Sequence, residues 1–405
     1  MRFSKAVLVL SAVVLSAAVS FGFETSFRYF LVPTQFLDAF SSDNRPTIIT
    51  TNQGLNLVQM TPNQVQLLST NLHKTHRSVC GGFLDAQGQM EASRMNPKSV
   101  MQWALSRPAT TRNFDKVAPT SPNDVEKLMG FLSQARFGTF LKEFSGFPDR
   151  YSRGDLGAKA TQWLVQRSDS LAKQHSRTDI TVRTIPTGGG YLQDSVLVRI
   201  AGSDAALPGV LIGGHMDTYP NGKPGADDDG TGSASVMEVY NAVLDSGIKF
   251  KRDLYFAYYA AEEVGLVGSQ RVVAEFQARK IPMRAIMQFD MTGFKSPNDN
   301  QEIYFIGDHV DQNLTKFAKN LTETYVKIPT NLIGDTRCGY SCSDHASWSN
   351  AGYAAVFPFE ATFANYNKTL HTSADTMALV SPAHIMKFIK LAAAFIVETA
   401  EPASR

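Results

Sequence analysis

The sequence has little net charge, few cysteines and no long apolar segment beyond its amino terminus. Its 405 residues include 39 basic and 37 acidic side chains, which leave a formal net charge of +2. Because basic and acidic residues are nearly equal in number, the charge argues against a nucleic-acid partner and against a membrane-surface partner. After residue 20, no segment reaches the ~18 apolar residues that a membrane-spanning helix needs. With 43% hydrophobic residues and no repeats, the composition is that of a folded globular protein.

The amino terminus is the exception to this lack of apolar runs. Arg2 and Lys5 precede an apolar stretch over residues 6–19, and Ala17, Ala18 and Ser20 are small. This order is typical of a secretory signal peptide, with cleavage after Ser20. An uncleaved membrane anchor is the alternative, but the apolar run is shorter than the ~18 residues that a span needs. We therefore expect residues 1–20 to be removed and the protein to be secreted to the periplasm or the medium.

Only three cysteines are present, at positions 80, 338 and 342. In an exported protein the close pair Cys338 and Cys342 is predicted to form a disulfide, which leaves Cys80 alone. So small a loop would stabilise the fold by roughly 2 kcal/mol and would hold Tyr340 in a local turn. A pair of metal-binding thiolates is the alternative, but no second cysteine pair exists to complete such a site.

The apolar pattern divides the rest of the chain in two. Three strands and one helix are predicted at residues 27–32, 46–51, 55–60 and 61–76. Thr61 and Gln64 have the spacing of a capping box at the start of that helix. Pro108 and Pro119 then interrupt a polar stretch, which is typical of a linker. We predict an N-terminal unit over residues 21–106 and a second domain over residues 107–405.

From about residue 122 strands and helices alternate along the chain. Helices are predicted at 122–132, 156–173, 231–244, 264–279 and 382–398. Strands are predicted at 180–185, 195–200, 209–212, 253–260, 285–289 and 354–359. Such alternation indicates an α/β fold with a mostly parallel central sheet flanked by helices on both faces. The N-terminal unit would be a small α+β structure in front of it.

A glycine-rich segment over residues 213–232 concentrates the titratable side chains. It reads GGHMDTYPNGKPGADDDGTG and contains His215, Asp217 and three consecutive aspartates, Asp227, Asp228 and Asp229. Buried together without a cation, three adjacent carboxylates would repel one another strongly. A histidine and several carboxylates after a buried strand are suitable ligands for a divalent metal ion. The segment therefore predicts part of a metal centre.

Further candidate ligands follow two other predicted strands. Glu262 and Glu263 come after the strand at 253–260, and Asp290 comes after the strand at 285–289. Because sites of open α/β sheets lie beyond the carboxyl ends of the strands, these side chains are expected to meet the glycine-rich segment. The residues alone leave open which glutamate would act as a base. Adjacent residues of a strand point to opposite faces, so a bend is needed to bring both to the metal.

Five motifs now identify a family resemblance. GHMDTYPNGKPGADDDGTGSA, YAAEEVGLVGSQ, QFDMTG, CGYSCSDHASW and HTSADT occur in order between about residues 120 and 385. Together they resemble the motif set of the secreted bacterial di-zinc leucyl aminopeptidases. The N-terminal unit, which ends in HKTHRSVCGG, is similar to the removable propeptide of those enzymes. The resemblance implies a zymogen that a processing protease converts to a monomeric enzyme.

The resemblance also implies a role for each candidate residue. One zinc would be held by His215 and Asp290, and the other by Glu263 and His371. Asp228 would bridge both ions, at the ~3.5–4 Å spacing of two-metal sites. The family has a non-proline cis peptide after this aspartate, which here falls between positions 228 and 229.

The supporting roles follow in the same way. Glu262 would be the general base that takes a proton from a metal-bound water to give the attacking hydroxide. Asp217 would accept a hydrogen bond from His215 and orient it. Asp227 and Asp229 either bind or only shape the turn.

An apolar pocket beside the metal site would select the first residue of a peptide substrate. The resemblance assigns this pocket six side chains, namely Met291, Tyr340, Phe359, Phe363, Tyr366 and Leu370. It implies hydrolysis of the amino-terminal peptide bond of peptides with a free N-terminus, with a preference for leucine and other large apolar residues. Two alternatives are a related di-metal carboxypeptidase or acylase, and a non-catalytic binding module of the same fold.

Overall fold

The computed structural model describes residues 27–75, 82–105, 114–116 and 118–403. The predicted signal peptide, Cys80 and the predicted boundary at residue 106 lie outside the described residues. Within the described ranges, no helix is both long and apolar enough to cross a membrane.

The N-terminal unit forms a four-stranded antiparallel sheet with three helices. Its strands are β1 (Arg28–Pro33), β2 (Thr47–Asn52), β3 (Leu55–Met60) and β4 (Leu84–Asp85), in the order β2-β3-β1-β4. Its helices are α1 (Pro62–Thr75), α2 (Gln87–Ala92) and α3 (Pro97–Leu105). The predicted capping box is present at the start of α1. The backbone N–H of Gln64 donates to the Thr61 hydroxyl at 3.2 Å, and the backbone N–H of Thr61 donates to Oε1 of Gln64 at 2.9 Å.

The following residues form a second, larger set of elements. The strands are β5 (Ile180–Ile185), β6 (Ser195–Ile200), β7 (Gly209–His215), β8 (Leu254–Tyr259), β9 (Met283–Gln288), β10 (Ile303–Ile306), β11 (Ile333–Thr336), β12 (Ala355–Val356) and β13 (Pro358–Phe359). The helices are α4 (Pro122–Met129), α5 (Gln134–Phe144), α6 (Asp155–Gln174), α7 (Gly232–Ser246), α8 (Val267–Ala278), α9 (Gln312–Leu321), α10 (His345–Asn350) and α11 (Pro382–Ala400). The predicted mixture of strands and helices is confirmed.

The central sheet has six strands in the order β12-β9-β7-β8-β6-β5. The pairings from β12 to β8 are parallel, whereas β6 and β5 pair antiparallel. Alternate residues of β7 pack on opposite faces. Val210 and Ile212 join the core beneath α7 and α11, while Leu211 packs with residues of α8 and α10. Helices therefore cover both faces of the sheet.

Several elements differ from the sequence-based expectation, among them a divided strand and an unpredicted helix. The strand predicted over 354–359 is two short strands, β12 and β13, which belong to different sheets. Pro358 opens β13 and has no N–H to donate to a ladder, so a continuous strand is unfavourable there. The helix α5 was not predicted, although Phe137, Phe140 and Phe144 have helical spacing and are all buried.

Two histidines outside the predicted site are buried as neutral rings. His345 Nε2 lies 3.1 Å from the carbonyl of Asp308, and His384 Nε2 lies 3.2 Å from the carbonyl of Glu360. These contacts require the proton on Nε2. Burial lowers the pKa of each imidazole to about 3.

We expect these rings to make stability fall as the pH decreases. Below the unfolded pKa of about 6.5, the unfolded chain takes up protons that the folded rings accept only near about pH 3. His384→Gln keeps an N–H donor for Glu360 and removes one titration. When the pH is lowered from about 7 to about 5, the Tm of the variant should decrease less than the Tm of wild type. Thermal unfolding at both pH values checks this, and equal losses in the two proteins would contradict it.

Candidate metal centre and substrate pocket

The candidate site lies at the carboxyl ends of three neighbouring strands. β9, β7 and β8 are adjacent and parallel, so their carboxyl ends meet at one edge of the sheet. His215 is the last residue of β7, and Asp290 follows β9 by two residues. Glu262 and Glu263 follow β8 and are buried. Side chains that are up to 75 positions apart in the sequence therefore converge.

A bend after β8 brings both glutamates to the centre. Ala261 has φ of +54°, a left-handed conformation that alanine adopts at a cost and that interrupts the strand alternation. Asp217 stabilises the bend, because its carboxylate accepts from Glu262 N at 2.9 Å and from Glu263 N at 3.3 Å. The bend that the sequence required is thus present.

Asp228 lies between two histidines. His215 Nε2 is 3.0 Å from Oδ1 of Asp228, and His371 Nε2 is 2.6 Å from its Oδ2. The peptide bond between Asp228 and Asp229 is cis, as the family resemblance implied. One carboxylate that faces two separate imidazoles has the geometry of a bridging ligand.

The other candidate ligands complete a group on each side of Asp228. On one side, His371 Nε2 is 3.0 Å from Oε2 of Glu263. On the other side, His215 Nε2 is 3.7 Å from Oδ1 of Asp290. His215 Nδ1 points to Asp217 at 3.5 Å. All five predicted ligands are therefore brought together.

The neighbouring aspartates bind the backbone instead. Asp229 accepts from the amide N–H groups of His215 and Gly232, at 2.9 and 2.7 Å. Asp229 is also close enough to His215 and Asp290 to belong to a possible metal group. Both oxygens of Asp229 already accept backbone hydrogen bonds, whereas those of Asp228 face His215 and His371. Asp227 accepts from Gly293 N at 2.9 Å and joins the turn to the segment after β9.

The side chains of the candidate site carry more buried acidic groups than positive charge. Burial raises the pKa of Glu262 well above its usual range and raises that of Glu263 to about 8. Burial would also raise the pKa of Asp228, but His371 and His215 hold it below its usual range. Burial alone would lower the pKa of His371, yet Glu263 and Asp228 raise it to about 10. These carboxylates thus retain protons or pair with imidazolium when no other cation is present.

The donor set fits a divalent cation. Both carboxylate oxygens of Glu262 and Oδ1 of Asp290 are buried and have no hydrogen-bond partner among the described residues. Buried carboxylate oxygens without partners are unfavourable in a protein interior. Imidazole nitrogens and carboxylate oxygens are ligands that zinc accepts. The residues could therefore hold metal ions, and ions would compensate the excess of carboxylates.

All six predicted pocket residues lie in one apolar cluster beside this site. The cluster contains Met291, Tyr340, Phe359, Phe363, Tyr366 and Leu370. The Phe363 ring lies 5.1 Å from Tyr366 and 6.1 Å from Tyr340. The predicted disulfide is formed between Cys338 and Cys342, on either side of Tyr340. Met291 and Leu370 of this cluster are the chain neighbours of the candidate ligands Asp290 and His371.

Four residues near the site had no role in the sequence analysis. Ser343 donates its hydroxyl to Oδ2 of Asp290 at 2.7 Å. The Tyr219 ring lies 4.6 Å from the ring of His371. Asp375 is buried and contacts the turn around Asp228, as does Arg150. Asp375, Ser343 and Tyr219 lie inside the quoted motifs, but nothing in their spacing indicated a contact.

Arg150 holds the segment that precedes the aspartates. Its guanidinium donates to the carbonyl oxygens of Met216, Pro224 and Gly225, at 2.7, 2.5 and 2.9 Å. Burial lowers the pKa of Arg150 to about 10, so the group stays charged at neutral pH. The guanidinium is fully enclosed and supplies a permanent positive charge behind the turn.

Comparison with known proteins gives consistent results for family, sequence relatives and structures. The model of peptidase family M28 matches residues 195–396. Leucine aminopeptidase 1 of Trichoderma harzianum is 30% identical over 358 residues, which cover 85% of this chain and 86% of that protein. Leucine aminopeptidase 1 of Neurospora crassa is 33% identical over 309 residues, covering 73% of this chain and 75% of that protein.

Two solved structures from Legionella pneumophila share most of the fold. The LapA aminopeptidase superposes with a TM-score of 0.83 at 32% identity, over 94% of this chain and 100% of that one. LapB has a TM-score of 0.83 at 30% identity, over 93% of this chain and 100% of that one. Matches of this extent must include most of the N-terminal unit.

The fold, the candidate metal centre and these relatives together define a metallo-aminopeptidase, a hydrolase that acts on peptides. The chain belongs to peptidase family M28. The resemblance to the zinc leucyl aminopeptidases is confirmed, and the relatives named here are both fungal and bacterial.

Proposed function

We propose that this aminopeptidase uses two zinc ions to remove large apolar residues, leucine above all, from the amino terminus of peptides. The observation that supports it best is the position of Asp228 between His215 and His371, whose chain neighbour Leu370 belongs to an apolar cluster. His215, Asp228 and Asp290 would hold one ion. Asp228, Glu263 and His371 would hold the other. When bound, such ions polarise a substrate carbonyl and make water more acidic.

Glu262 is proposed as the general base. Its two carboxylate oxygens have no partner among the described residues, and Asp217 anchors its backbone N–H at 2.9 Å. Burial raises its pKa well above the usual range, which favours a carboxylate that can both accept and return a proton. Glu262 would accept a proton from the attacking water and deliver it to the nitrogen of the leaving amine. The carbon–nitrogen bond between the first and second residues of the substrate then breaks.

The charge of the site favours a substrate ammonium over a substrate carboxylate. Five buried acids, Asp217, Asp228, Glu262, Glu263 and Asp290, lie around two histidines, and two divalent ions would neutralise four of their five negative charges, so that one negative charge remains to attract a substrate ammonium. A related carboxypeptidase or acylase would need a cationic clamp for the substrate carboxylate. Arg150 cannot serve, because its guanidinium is enclosed by main-chain carbonyls. The free amino terminus would bind beside Asp290.

The pocket supports a preference for leucine. Met291, which follows Asp290 in the chain, and Phe359 are buried, while Tyr340 and Phe363 of the same cluster are partly exposed. Burying a leucine side chain against such a surface is worth about 1.5–3 kcal/mol. A preference for leucine over alanine of about tenfold to a hundredfold follows.

The N-terminal unit is proposed to be a removable propeptide that covers the site. Its Ser69 hydroxyl hydrogen bonds to the Tyr219 hydroxyl and donates to the carbonyl of Glu263 at 3.1 Å. Its Phe36 ring lies 5.9 Å from Tyr340 of the pocket. These contacts lie directly on segments that contain a proposed ligand and a proposed pocket residue.

The segment after the glutamates is shaped to receive this unit. Gly265 has φ of +110°, and a Cβ there would lie 3.0 Å from the backbone nitrogen of Asp85 and 3.4 Å from the ring of Phe83. The amide of Asp85 donates to the Gly265 carbonyl at 3.0 Å. Val264 and Val267 pack into the apolar core of the N-terminal unit. The interface is therefore tight and apolar.

Export completes the proposal. Residues 1–20 would direct secretion, a processing protease would remove residues 21–106, and the mature monomer would act in the periplasm or the medium. Removal of the unit would expose the apolar surface of the segment after Glu263.

The substrate assignment predicts the outcome of a simple panel. We expect hydrolysis of leucyl p-nitroanilide, slower hydrolysis of the alanyl and arginyl compounds, and none of N-acetyl-leucyl p-nitroanilide. The blocked amine cannot provide the charge that the acidic site favours. A chelator should abolish activity, and zinc should restore it. Equal rates on the blocked and free leucyl compounds would overturn the proposal.

The base assignment predicts a separation of metal binding from turnover. Glu262→Ala should keep both zinc ions and lose nearly all turnover, because proton transfer contributes about a hundredfold or more. The matched variant Glu263→Ala should instead lose zinc. Metal analysis and kcat of the two variants check this. Near-wild-type turnover of Glu262→Ala would show that another group is the base.

The covering role predicts that loosening the N-terminal unit activates the uncleaved chain. Phe36→Ser removes an apolar contact to Tyr340 and should increase kcat/KM on leucyl p-nitroanilide before any cleavage. Cleavage between residues 105 and 114 should increase it further. Ile48→Ser, at a position that is 47% exposed on β2, is the control and should have no effect. Full activity of the intact wild-type chain would contradict this role.

A further inference from the structure

Two buried side chains attach the segment that contains His371 to the turn of Asp228: Asn367 donates to Oδ2 of Asp227 at 3.0 Å, and Asp375 accepts from the backbone of the turn. Asp375 follows His371 by four residues and is fully buried, while positions 372–374 are exposed. Its Oδ1 accepts from Asp227 N at 2.9 Å, and its Oδ2 accepts from Asp228 N at 3.1 Å. Its main-chain carbonyl accepts from Ala226 N at 3.2 Å. Three consecutive N–H groups of the turn are thus satisfied by one residue.

This attachment matters because the two proposed ligands come from distant parts of the chain. Asp228 and His371 are 143 positions apart in the sequence, yet His371 Nε2 lies 2.6 Å from Asp228 Oδ2. His371 lies outside the sheet, in a segment between β13 and α11, and it has φ of +58°. A loop in such a conformation needs an external constraint to hold a side chain in place.

The other contacts of the turn support the same arrangement. Gly225, with φ of +53°, leaves no room for a Cβ against the carbonyl of Asp228 and the guanidinium of Arg150. Arg150 fixes the carbonyls of residues 224 and 225. The turn is therefore held in place by its own contacts. The hydrogen bonds of the Asp375 carboxylate connect it to the segment that contains His371.

We propose that Asp375 is a positioning residue that fixes His371 relative to Asp228 and so sets the affinity of the metal position formed by Asp228, Glu263 and His371. This inference rests on the proposed two-zinc function. Asp375 does not touch the metal or the substrate and acts only through the backbone of the turn. Partners of this kind, beyond the ligands themselves, typically change metal affinity by about ten- to a hundredfold.

The test uses Asp375→Asn in the full chain. The amide keeps one acceptor oxygen but turns an NH₂ donor toward the second backbone N–H, so one hydrogen bond is lost. Zinc binding is measured by dialysis against a competing chelator with metal analysis, on wild type and variant. We expect two zinc equivalents in wild type. In the variant we expect one unchanged equivalent and one weakened by about ten- to a hundredfold.

A control separates positioning from general stability. Asp311→Ala also alters a buried aspartate and removes the Oδ1 that accepts from Leu314 N at 2.8 Å at the start of α9. It should lower the Tm of the metal-free protein without changing either zinc affinity. For Asp375→Asn, the increase in Tm on adding zinc should be smaller than in wild type. An unchanged zinc affinity and an unchanged zinc-dependent increase in Tm would overturn the inference.

A second variant leaves the buried acid intact. Ser373→Gly combined with Ala374→Gly changes only exposed positions and loosens the connection between His371 and Asp375. It should fold normally and still weaken one zinc equivalent several-fold. Unchanged binding in this variant would also count against the inference. Fewer than two zinc equivalents in wild type would instead overturn the metal assignment, and this inference with it.

Discussion

Repulsion among buried carboxylates is the constraint on which the rest of the structure depends. Asp217, Asp228, Glu262, Glu263 and Asp290 are all buried within one region with two histidines. Such a group is unfavourable unless cations or hydrogen-bond donors compensate it. The parallel strand ends bring these acids close together, and the enclosed Arg150 holds the carbonyl of Gly225, just before the three aspartates. The same arrangement explains why the site suits divalent cations.

The acids divide into two groups by their hydrogen bonds. Asp217, Asp229 and Asp375 accept from backbone N–H groups, which stabilises their charge and fixes the turns that contain them. Glu262 and one oxygen of Asp290 have no such partner among the described residues. Acids of the first group shape the site, and acids of the second group are available to cations and protons.

Most of the larger domain was predictable because buried strands and amphipathic helices have strong periodic patterns. β5 and β6 begin and end where the apolar pattern predicted, as does β3 of the N-terminal unit. The helix α5 was missed even though its buried phenylalanines have helical spacing. The antiparallel pairing of β5 and β6 was also missed, although no helix separates them and a hairpin was the simpler connection. The short strands β10 and β11 gave too little pattern to predict.

The sequence by itself determined the chemistry of this protein, since motifs of glycine, histidine and acidic residues specify the donor types and their order along the chain. Only the tertiary structure decided which acid does what. Asp227, Asp228 and Asp229 are chemically equivalent in the sequence, and they differ only in which backbone N–H groups and which histidines surround them. Likewise, the roles of Arg150 and Asp375 depend on contacts over 75 and 147 positions, which no local pattern encodes. These differences arise from hydrogen bonds between side chains and distant backbone groups, which no short stretch of sequence specifies.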